Sequence, residues 1–560
     1  MLDLKAIPIS ELPLGLLWHL VVLVVAALMV SVLHRIDPAA VRRAWRWSGR
    51  WARRPRLAMG TTALISLSLA AIPLLVNGPP VPRVHDEFAN LLAADTFAKF
   101  ELTNPSHPLR EHFETMHVLS RPTYQAKYPP ARAFGLTAGK LLVNQPAFGV
   151  WLATGLSTVA ICWMLYGWLP SRWAFYGGLM TAVHAGFVLD WGLSFNGEQV
   201  ATTGGALLLG SLPRLRRSCQ PWTALALGVG LAVLANSRPA EGFVLAAVVM
   251  VILAWWVMQQ ESLTVGSVVV RLVLPLAFIL LPTAVAMAHY NKEVTGNYLR
   301  LPYQVHTQQY MYSPLFFWQS AERPAHYGAK AIEDFYAGWE FRQYQSQTTP
   351  TGWLRGRAKR LLRASLFYLP PVLLLACIAL PSALRRRKAR VAMLPVLILM
   401  ALMTVAWVWF SPRYLAPCAA AFMLLMMLAM RQLRWLKVGS FPLGKWLVRS
   451  IILSHGTVSL LILLGIVFQN ESQGWHLDRA NIERDLGRSG GEHIILVRYA
   501  EKHNPHHEWV YNAAEIDAAD VIWSRSLGTE RDQRLRDYFH DRSIWYLDAD
   551  VQPPRLLPAF

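Results

Sequence analysis

Residues 57–87, LAMGTTALISLSLAAIPLLVNGPPVPRVHDE, decide the fold of this chain. Residues 57–77 are almost entirely apolar, and a run of about 20 such residues is long enough to cross a bilayer. His85-Asp86-Glu87 follows a few residues later, at the start of a long polar loop. A carboxylate near lipid is costly unless water or a partner receives it. The stretch therefore predicts a membrane helix that ends beside a catalytic site at the bilayer surface.

Similar apolar runs recur through the 560 residues. The chain is 54% apolar, and only 16% of its residues are charged, against roughly 25% in a soluble domain. This composition predicts an all-α polytopic membrane protein with about twelve transmembrane helices. The first run has no small-residue cleavage site and precedes a basic stretch, which favours a retained helix over a signal peptide. The predicted spans are residues 14–33, 57–77, 147–169, 174–190, 197–213, 222–236, 241–258, 267–289, 364–381, 392–410, 413–430 and 450–468.

The net charge of +20 is explained by membrane topology and not by nucleic-acid binding. Lys and Arg cluster between apolar runs, and placing every cluster in the cytoplasm satisfies the positive-inside rule. The two sides of the membrane then alternate without a violation. The N-terminus, the loops 78–146 and 290–363 and the tail 469–560 are predicted to lie outside. The basic clusters fall within residues 42–56, 214–217, 385–390 and 431–449.

Three parts of the chain follow from this threading. Residues 1–56 form an additional N-terminal transmembrane helix with a basic cytoplasmic loop. Residues 57–468 form the transmembrane core, and residues 469–560 form a small extracytoplasmic α/β tail. The apolar run 131–143 is short for a span, so a re-entrant or interfacial helix is predicted there. The four cysteines lie in or beside apolar runs without paired spacing, so no disulfide framework or zinc site is predicted.

The tail is more polar than the rest and alternates between two kinds of pattern. Residues 493–499 (HIILVRY) and 543–547 (SIWYL) predict buried strands. Residues 516–523 and 529–540 predict helices between them. In the first outer loop, the run from Phe88 to Phe100 is compatible with a helix on the membrane face.

Four polar segments fall on the predicted outer side. Asp86-Glu87 opens the first outer loop, and Lys127 lies in YQAKYPP (124–130) near its end. Arg238 lies in the outer turn NSRPAE (236–241), and Arg413 in the later turn SPRYLAP (411–417). Lys and Arg donate charge-assisted hydrogen bonds to phosphate oxygens, and a carboxylate can act as a general base. Together they predict a site for an anionic group, a lipid phosphate being the obvious candidate, with a base beside it.

At these residues the chain resembles the GT-C superfamily of integral-membrane glycosyltransferases. The resemblance is strongest to the branch that holds the protein O-mannosyltransferases and the lipid A aminoarabinose transferases. In that branch an acidic pair follows a transmembrane helix in the first outer loop, and Asp86-Glu87 matches it. The span 14–33 departs from the pattern, because the core of the family begins at the helix before the acidic pair.

Two further motifs carry the resemblance, which covers roughly residues 57–430. The family's Tyr-x-x-Lys-Pro-Pro segment, which contacts the lipid phosphate, is matched by Tyr124 and Lys127 apart from the intervening Tyr128. Its Arg-Tyr pair followed closely by Pro in a late outer turn is matched by Arg413-Tyr414. Each motif alone is weakly specific, and the ordered set on one side of the membrane carries the argument.

The resemblance implies an inverting transfer of one sugar from a polyprenyl-phosphate donor to an acceptor hydroxyl. Asp86, with Glu87, is the implied catalytic acidic pair, and Asp86 would deprotonate the acceptor. The residues implied to bind or orient the donor phosphate are Tyr124, Lys127, Arg238, Arg413 and Tyr414.

The family's second acid has no clean counterpart in this chain. Asp190 and Glu198 both lie in the relevant outer turn, with a slight preference for Asp190. A divalent cation would need such a pair of acids, so metal binding stays open. No other cofactor is implied, since the reaction needs no nucleotide and no phosphate-binding Gly-rich loop is present.

The expected location is the inner membrane of a bacterium, with the active site and the tail extracytoplasmic. Membrane lipids and the lipid-linked donor are the expected partners, and the acceptor is left open between a glycan, a lipid and a protein. The main alternative is a transporter or flippase of lipid-linked sugars, which would carry charge near mid-membrane on discontinuous helices. A polymerase of surface polysaccharide is a further alternative with the same donor chemistry.

Overall fold

The computed structural model describes residues 21–28, 31, 32, 35, 38–260, 263–322, 324, 326–468 and 474–559. In this part of the chain, seven helices are long and apolar enough to cross a membrane. An eighth is added if Pro350–Tyr368 and Pro371–Leu384, which meet at a bend of 95°, form one span. The protein is therefore a multi-pass membrane protein. The predicted span 14–33 lies partly outside the described residues, and residues 21–28 within it are helical.

The other spans that the sequence predicts lie in helices that are shorter or more polar than the seven span candidates. The first helices are α1 Pro38–Ala52, α2 Pro55–Asn77, α3 His85–Ala98, α4 Ala131–Val143, α5 Pro146–Trp168, α6 Ser171–Ala182, α7 Glu198–Arg217, α8 Pro221–Ser237, α9 Pro239–Met258 and α10 Val265–Thr295. The next helices are α11 Pro302–Tyr310 and α12, which consists of the consecutive segments Lys330–Glu333, Asp334–Glu340 and Phe341–Gln345. The last helices are α13 Pro350–Tyr368, α14 Pro371–Leu384, α15 Arg387–Ala401 continuing as Leu402–Ala406, α16 Pro412–Leu433, α17 Leu443–Phe468, α18 Trp475–Ser489 and α19 Thr529–Tyr538.

The deepest helix of the bundle is α16, in which residues 419–430 are all buried. It packs against α7, where Gly205 is required because a methyl group there would overlap the carbonyl oxygen of Pro417. Thr202 of α7 also donates a hydrogen bond to the carbonyl oxygen of Ala416, at 3.1 Å. This close approach brings together the first turns of α7 and α16, which carry Glu198 and Arg413.

The first loop holds two short helices and a small antiparallel sheet. The prediction of a helix near residues 88–100 is confirmed by α3, and the short run 131–143 forms α4, which is not among the span candidates. The strands of this sheet are β1 Asn104–Pro105, β2 Val118–Leu119 and β3 Thr123–Ala126. They pair in the order β1-β3-β2.

The tail contains a four-stranded sheet, in which His493–Arg498 (β4) lies between Val521–Arg525 (β5) and Ser543–Asp548 (β6), and Arg555–Pro558 (β7) follows at the edge. The predicted strands near 493–499 and 543–547 and the helix near 529–540 are confirmed, whereas the helix at 516–523 is wrong. Val521-Ile522-Trp523 belongs to a strand, because these β-branched and aromatic residues pair in parallel with the first strand of the sheet. The edge strand β7 pairs antiparallel with β6.

The tail packs on the first loop through both apolar and polar contacts. One apolar cluster includes Leu92 of α3 together with Ile494 and Ile522 of the tail sheet. The backbone N–H of Ala514 donates to the carboxylate of Asp95 at 2.7 Å. These contacts place the tail along α3, and the Tyr511 hydroxyl of the tail lies 2.7 Å from Nδ1 of His85, beside the acidic pair.

Candidate active site

A large cavity, of about 2090 Å³, opens beside the first turn of α3. The first loop, the starts of α7 and α16, the helices α12 and α13 and the tail all contribute to its wall. Polar residues that line it include Asp86, His117, Lys127, Tyr128, Arg132, Asp190, Glu198, Arg238, Glu340, Arg413 and Tyr414. Segments that are hundreds of residues apart in the sequence therefore meet around one space.

Asp86 lies in the first turn of α3, and its side chain keeps 40% of its surface exposed to the cavity. The hydroxyl of Tyr128 donates a short hydrogen bond to Oδ1, and Nε2 of His117 lies 3.9 Å from Oδ2. Burial raises the pKa of Asp86, but His117, Arg132, the Tyr128 hydroxyl and Lys127 together hold that pKa well below its usual range. The N-terminus of a helix also favours a negative charge. Asp86 is therefore ionised at neutral pH.

Glu87 has a different environment from its neighbour. Its carboxylate accepts hydrogen bonds from the backbone N–H of Arg83 at 2.8 Å, the hydroxyl of Ser194 at 3.0 Å and the backbone N–H of Phe195 at 3.2 Å. The side chain is buried. These bonds fasten the start of α3 to the segment that precedes α7, so Glu87 holds Asp86 in position.

Two buried cations lie close enough to Asp86 to lower its pKa. Nζ of Lys127 lies 5.4 Å from the ring centre of Tyr128 and 5.2 Å from that of Tyr303. The guanidinium of Arg132 stacks on Tyr128 at 4.0 Å, and its Nε donates to the carbonyl oxygen of Asn196 at 3.1 Å. Neither cation makes an ion pair within the described residues.

Glu340 of α12 is a buried carboxyl group in the same wall, and its Oε2 has no hydrogen-bond partner among the described residues. Burial raises the pKa of Glu340 and lowers the pKa of Lys127, while the opposite charge of each partly counteracts this. Lys127 therefore loses its proton at a lower pH than an exposed lysine does.

Arg413 lies between two acids in the same polar wall, next to the Ser194 hydroxyl that also contacts Glu87. Its Nη1 lies 3.1 Å from Oε1 of Glu198 and 2.7 Å from the hydroxyl of Ser194, and its Nη2 lies 3.6 Å from Oδ2 of Asp190. Glu198 is fully buried, while 27% of the Asp190 side chain is exposed. Both candidate second acids thus contact the same guanidinium.

Arg238 has a partner of its own. Its Nη1 lies 3.5 Å from Oε1 of Glu241, and its guanidinium stacks over the ring of Tyr414 at 5.0 Å. The turn between α8 and α9 therefore presents a cation that is already paired.

The architecture was compared with solved structures. ArnT from Cupriavidus metallidurans matches in its apo state with a TM-score of 0.50 and 11% identity, covering 87% of this chain and 92% of that chain. The same protein bound to undecaprenyl phosphate matches with a TM-score of 0.50 and 12% identity, covering 88% and 92%. The chain therefore shares the fold of ArnT. The Archaeoglobus fulgidus oligosaccharyltransferase tethered with an acceptor peptide matches with a TM-score of 0.44 and 10% identity, covering 88% and 69%.

The sequence itself gives no such match. No protein-family model and no curated protein matches it. The likeness to ArnT therefore rests on the three-dimensional arrangement and not on sequence similarity.

The two candidate second acids, Asp190 and Glu198, do not form a site for a divalent cation. No group of three or more His, Cys, Asp or Glu side chains in the described part of the chain is arranged to hold a metal ion. Asp190 and Glu198 share Arg413, whose guanidinium takes the place between them that a cation would need. No step of the chemistry is therefore assigned to a metal.

The cavity brings together most of the residues that were predicted from the sequence, but not all. Asp86, Glu87, Lys127, Asp190, Glu198, Arg238, Arg413 and Tyr414 line it. Tyr124 does not, because its buried hydroxyl donates to the carbonyl oxygen of Asn512 in the tail, at 3.3 Å. Tyr128, the residue that interrupts the GT-C motif, contacts Asp86 in its place.

Three wall residues were missed by the sequence analysis. Arg132 could have been found, because it lies two positions after the Pro129-Pro130 pair of the motif. His117 and Glu340 carry no local signal, since His117 lies in a polar loop and Glu340 at the end of a helical segment, both of ordinary composition. Residues 503–507 of the tail contain three histidines, a composition that can indicate metal ligands. In the structure, His506 of this segment instead packs against Trp339 at the cavity wall.

Proposed function

We propose that the protein transfers a sugar from a polyprenyl-phosphate donor to an acceptor hydroxyl, at the extracytoplasmic face of a bacterial inner membrane. One observation carries the proposal: an ionised carboxylate, Asp86, faces the buried cations Lys127 and Arg132 in a large cavity. Buried charges without a partner are costly, so two such cations favour the binding of an anion. A protein of the same fold is bound to undecaprenyl phosphate in its crystal structure.

The reaction needs one bond to form and one to break. The acceptor oxygen attacks the anomeric carbon of the sugar, and Asp86 takes the proton of that hydroxyl. The bond between the anomeric carbon and the phosphate oxygen breaks, and its electron pair leaves on the lipid phosphate. Lys127 and Arg132 stabilise the negative charge that develops there, as preorganised cations do in a water-poor site.

Binding of the donor also improves Asp86 as a base. In the empty cavity Lys127 and Arg132 help to hold the pKa of Asp86 low, which makes the carboxylate a weak base. A phosphate between these cations offsets their charge, so the pKa of Asp86 rises towards the range that suits proton transfer. The base therefore becomes effective only when the donor is in place.

The paired arginines have a supporting role in this proposal. Arg413 and Arg238 extend the polar wall, and Tyr414 stacks under Arg238, but Glu198 and Glu241 already offset the two guanidinium groups. They shape the donor site and bind its phosphate more weakly than Lys127 and Arg132 do. Trp339 of α12 and His506 of the tail lie on the wall where an acceptor could enter.

The decisive experiment compares a deletion strain that carries the wild type, Asp86→Asn or Asp541→Asn at matched protein levels. Lipid-linked sugars and surface glycans are profiled by mass spectrometry. Asp541 is the control, because its side chain is 84% exposed on the tail and does not line the cavity. Wild type and Asp541→Asn should restore one sugar modification. Asp86→Asn should not, with a loss of about 10²–10⁴ in rate and accumulation of the lipid-linked donor.

Full restoration of the glycan profile by Asp86→Asn would exclude Asp86 as the base. The transport alternative would then be favoured, because a carrier needs the cationic cavity but no general base. A carrier is also expected to change the sidedness of the lipid-linked sugar without changing the amount of modified product.

A further inference from the structure

His117 has a backbone conformation that side chains rarely adopt. Its φ is +65°, in the left-handed region that favours glycine. Such residues persist only where the surrounding structure fixes them, and they cluster at functional sites. Two bonds fix this one: its N–H donates to the Tyr336 hydroxyl at 3.2 Å, and its carbonyl oxygen accepts from the backbone N–H of Lys127 at 3.1 Å.

This conformation directs the imidazole of His117 towards Asp86. Nε2 lies 3.9 Å from Oδ2 of Asp86, a gap that a small rotation of either side chain closes. Nδ1 is buried and has no hydrogen-bond partner among the described residues. The backbone conformation therefore positions this side chain, and no hydrogen bond from Nδ1 of the imidazole to another described residue contributes.

Charged and titratable groups surround the ring on every side. Asp86 and the cations Lys127 and Arg132 influence its charge most directly. The other groups that face it are His85 of α3, with ring centres 5.9 Å apart, His306 of α11 at 6.0 Å, Tyr128 at 5.9 Å and Tyr336 of α12 at 6.5 Å.

We propose that His117 is a positioning residue that acts through Asp86 in the transfer reaction. Once the donor phosphate is bound, His117 takes from Asp86 the proton of the acceptor hydroxyl. This inference rests on the proposed function. The proton moves from Oδ2 of Asp86 to Nε2 of His117, which leaves Asp86 ionised and His117 cationic. When the lipid phosphate leaves, the proton passes to the water of the cavity.

The balance of charges explains why the transfer depends on the donor. Burial and the positive charge of Lys127 keep the pKa of His117 well below its usual value, although the charge of Asp86 opposes this. His117 is therefore neutral in the empty cavity. A phosphate beside Lys127 and Arg132 removes part of the repulsion, so the affinity of His117 for a proton rises.

Binding of undecaprenyl phosphate reverses the step in which the lipid phosphate leaves and His117 loses its proton. The proposal therefore predicts that the protein takes up a proton when it binds undecaprenyl phosphate. Calorimetric titrations of the full-length protein in detergent, at pH 7 in buffers of different ionisation enthalpy, measure this uptake directly. His117→Gly removes the imidazole and relieves the left-handed backbone, so it should fold at least as well as the wild type. Its proton uptake should fall by roughly half or more, because the linkage of binding to this group is lost.

Phe100→Gly is the matched control. Phe100 also has a left-handed backbone, with φ +61°, but it is exposed and does not line the cavity. This variant should keep the wild-type proton uptake. His117→Asn provides a second test, since asparagine also tolerates the left-handed region but does not titrate.

The outcomes separate the two proposals. Equal proton uptake by wild type, His117→Gly and His117→Asn overturns the role of His117 while leaving the proposed function intact. Failure of the wild type to bind undecaprenyl phosphate overturns the proposed function, and the role of His117 with it. Loss of uptake in both variants, with uptake retained in Phe100→Gly, supports the proposal.

Discussion

Two ionic clusters face the same cavity with opposite balances of charge. Around Asp86, the cations Lys127 and Arg132 meet one ionised carboxylate. The neighbouring Glu340 is mostly protonated at neutral pH, because burial raises its pKa to about 8. Around Arg413, one guanidinium meets the carboxylates of Asp190 and Glu198. The first cluster thus has an excess of positive charge, and the second has an excess of negative charge.

This difference indicates which cluster can accept an anionic ligand. A phosphate at the Asp86 cluster supplies the negative charge that its buried cations lack. A phosphate at Arg413 would compete with two acids that are already in place. We therefore expect substitutions in the Arg413 cluster to affect mainly stability, and substitutions at Lys127 to affect mainly donor binding.

The largest expected effect is a loss of stability in Arg413→Ala. Removing the guanidinium leaves Glu198 fully buried without its cation, which costs about 3–5 kcal/mol. Thermal denaturation of the purified protein in detergent measures it. Arg531→Ala is the control, since its exposed pair with Glu111 at 3.8 Å contributes only about 0–1 kcal/mol. An Arg413→Ala protein as stable as the control would contradict the comparison.

Lys127→Ala should weaken the binding of undecaprenyl phosphate by about 10–100-fold, because one charge-assisted hydrogen bond to the phosphate is lost. Its thermal stability should not fall, since Nζ of Lys127 makes no ion pair within the described residues. Calorimetric titration gives the affinity. Lys99→Ala is the control, because Lys99 lies outside the cavity and pairs with Glu515 at 3.1 Å. This variant should bind undecaprenyl phosphate with unchanged affinity.

The affinity of the wild type for undecaprenyl phosphate should decrease as the pH rises from 7 to 9. Burial lowers the pKa of Lys127, so this group loses its positive charge within that range, whereas the phosphate keeps its negative charge. The expected decrease is several-fold, up to about tenfold. In Lys127→Arg the cation stays charged, so the affinity should vary much less with pH. A parallel decrease in both proteins would show that another group titrates.

The smallest expected effect distinguishes the two candidate second acids. Asp190→Asn removes a partly exposed charge 3.6 Å from Arg413 and should lower the stability by less than about 1 kcal/mol. Glu198→Gln removes a fully buried partner at 3.1 Å and should cost more. If thermal denaturation shows the reverse order, Asp190 is the acid on which Arg413 depends.

The tail shows where local pattern was sufficient and where it was not. The strands at 493–498 and 543–548 follow from their apolar residues, as the sequence predicted. Val521–Arg525 is also a strand, although a helix was predicted at 516–523. A short apolar run fits either structure, and its pairing with β4, which lies earlier in the chain, decided between them.

The sequence by itself determined the membrane-embedded helices and the position of Asp86 just beyond one of them. Apolar runs and the placement of Lys and Arg indicate the membrane spans and their orientation directly, because the free energy of moving each residue from water into the bilayer depends on that residue alone.

Only the tertiary structure decided which charges are paired. Arg413 and Glu198 are 215 positions apart and meet because α7 and α16 pack closely at Gly205. His117, Arg132 and Glu340 reach the cavity from three separate elements. The interaction energy of two charges depends on their distance and burial in space, and no local pattern of the sequence encodes either.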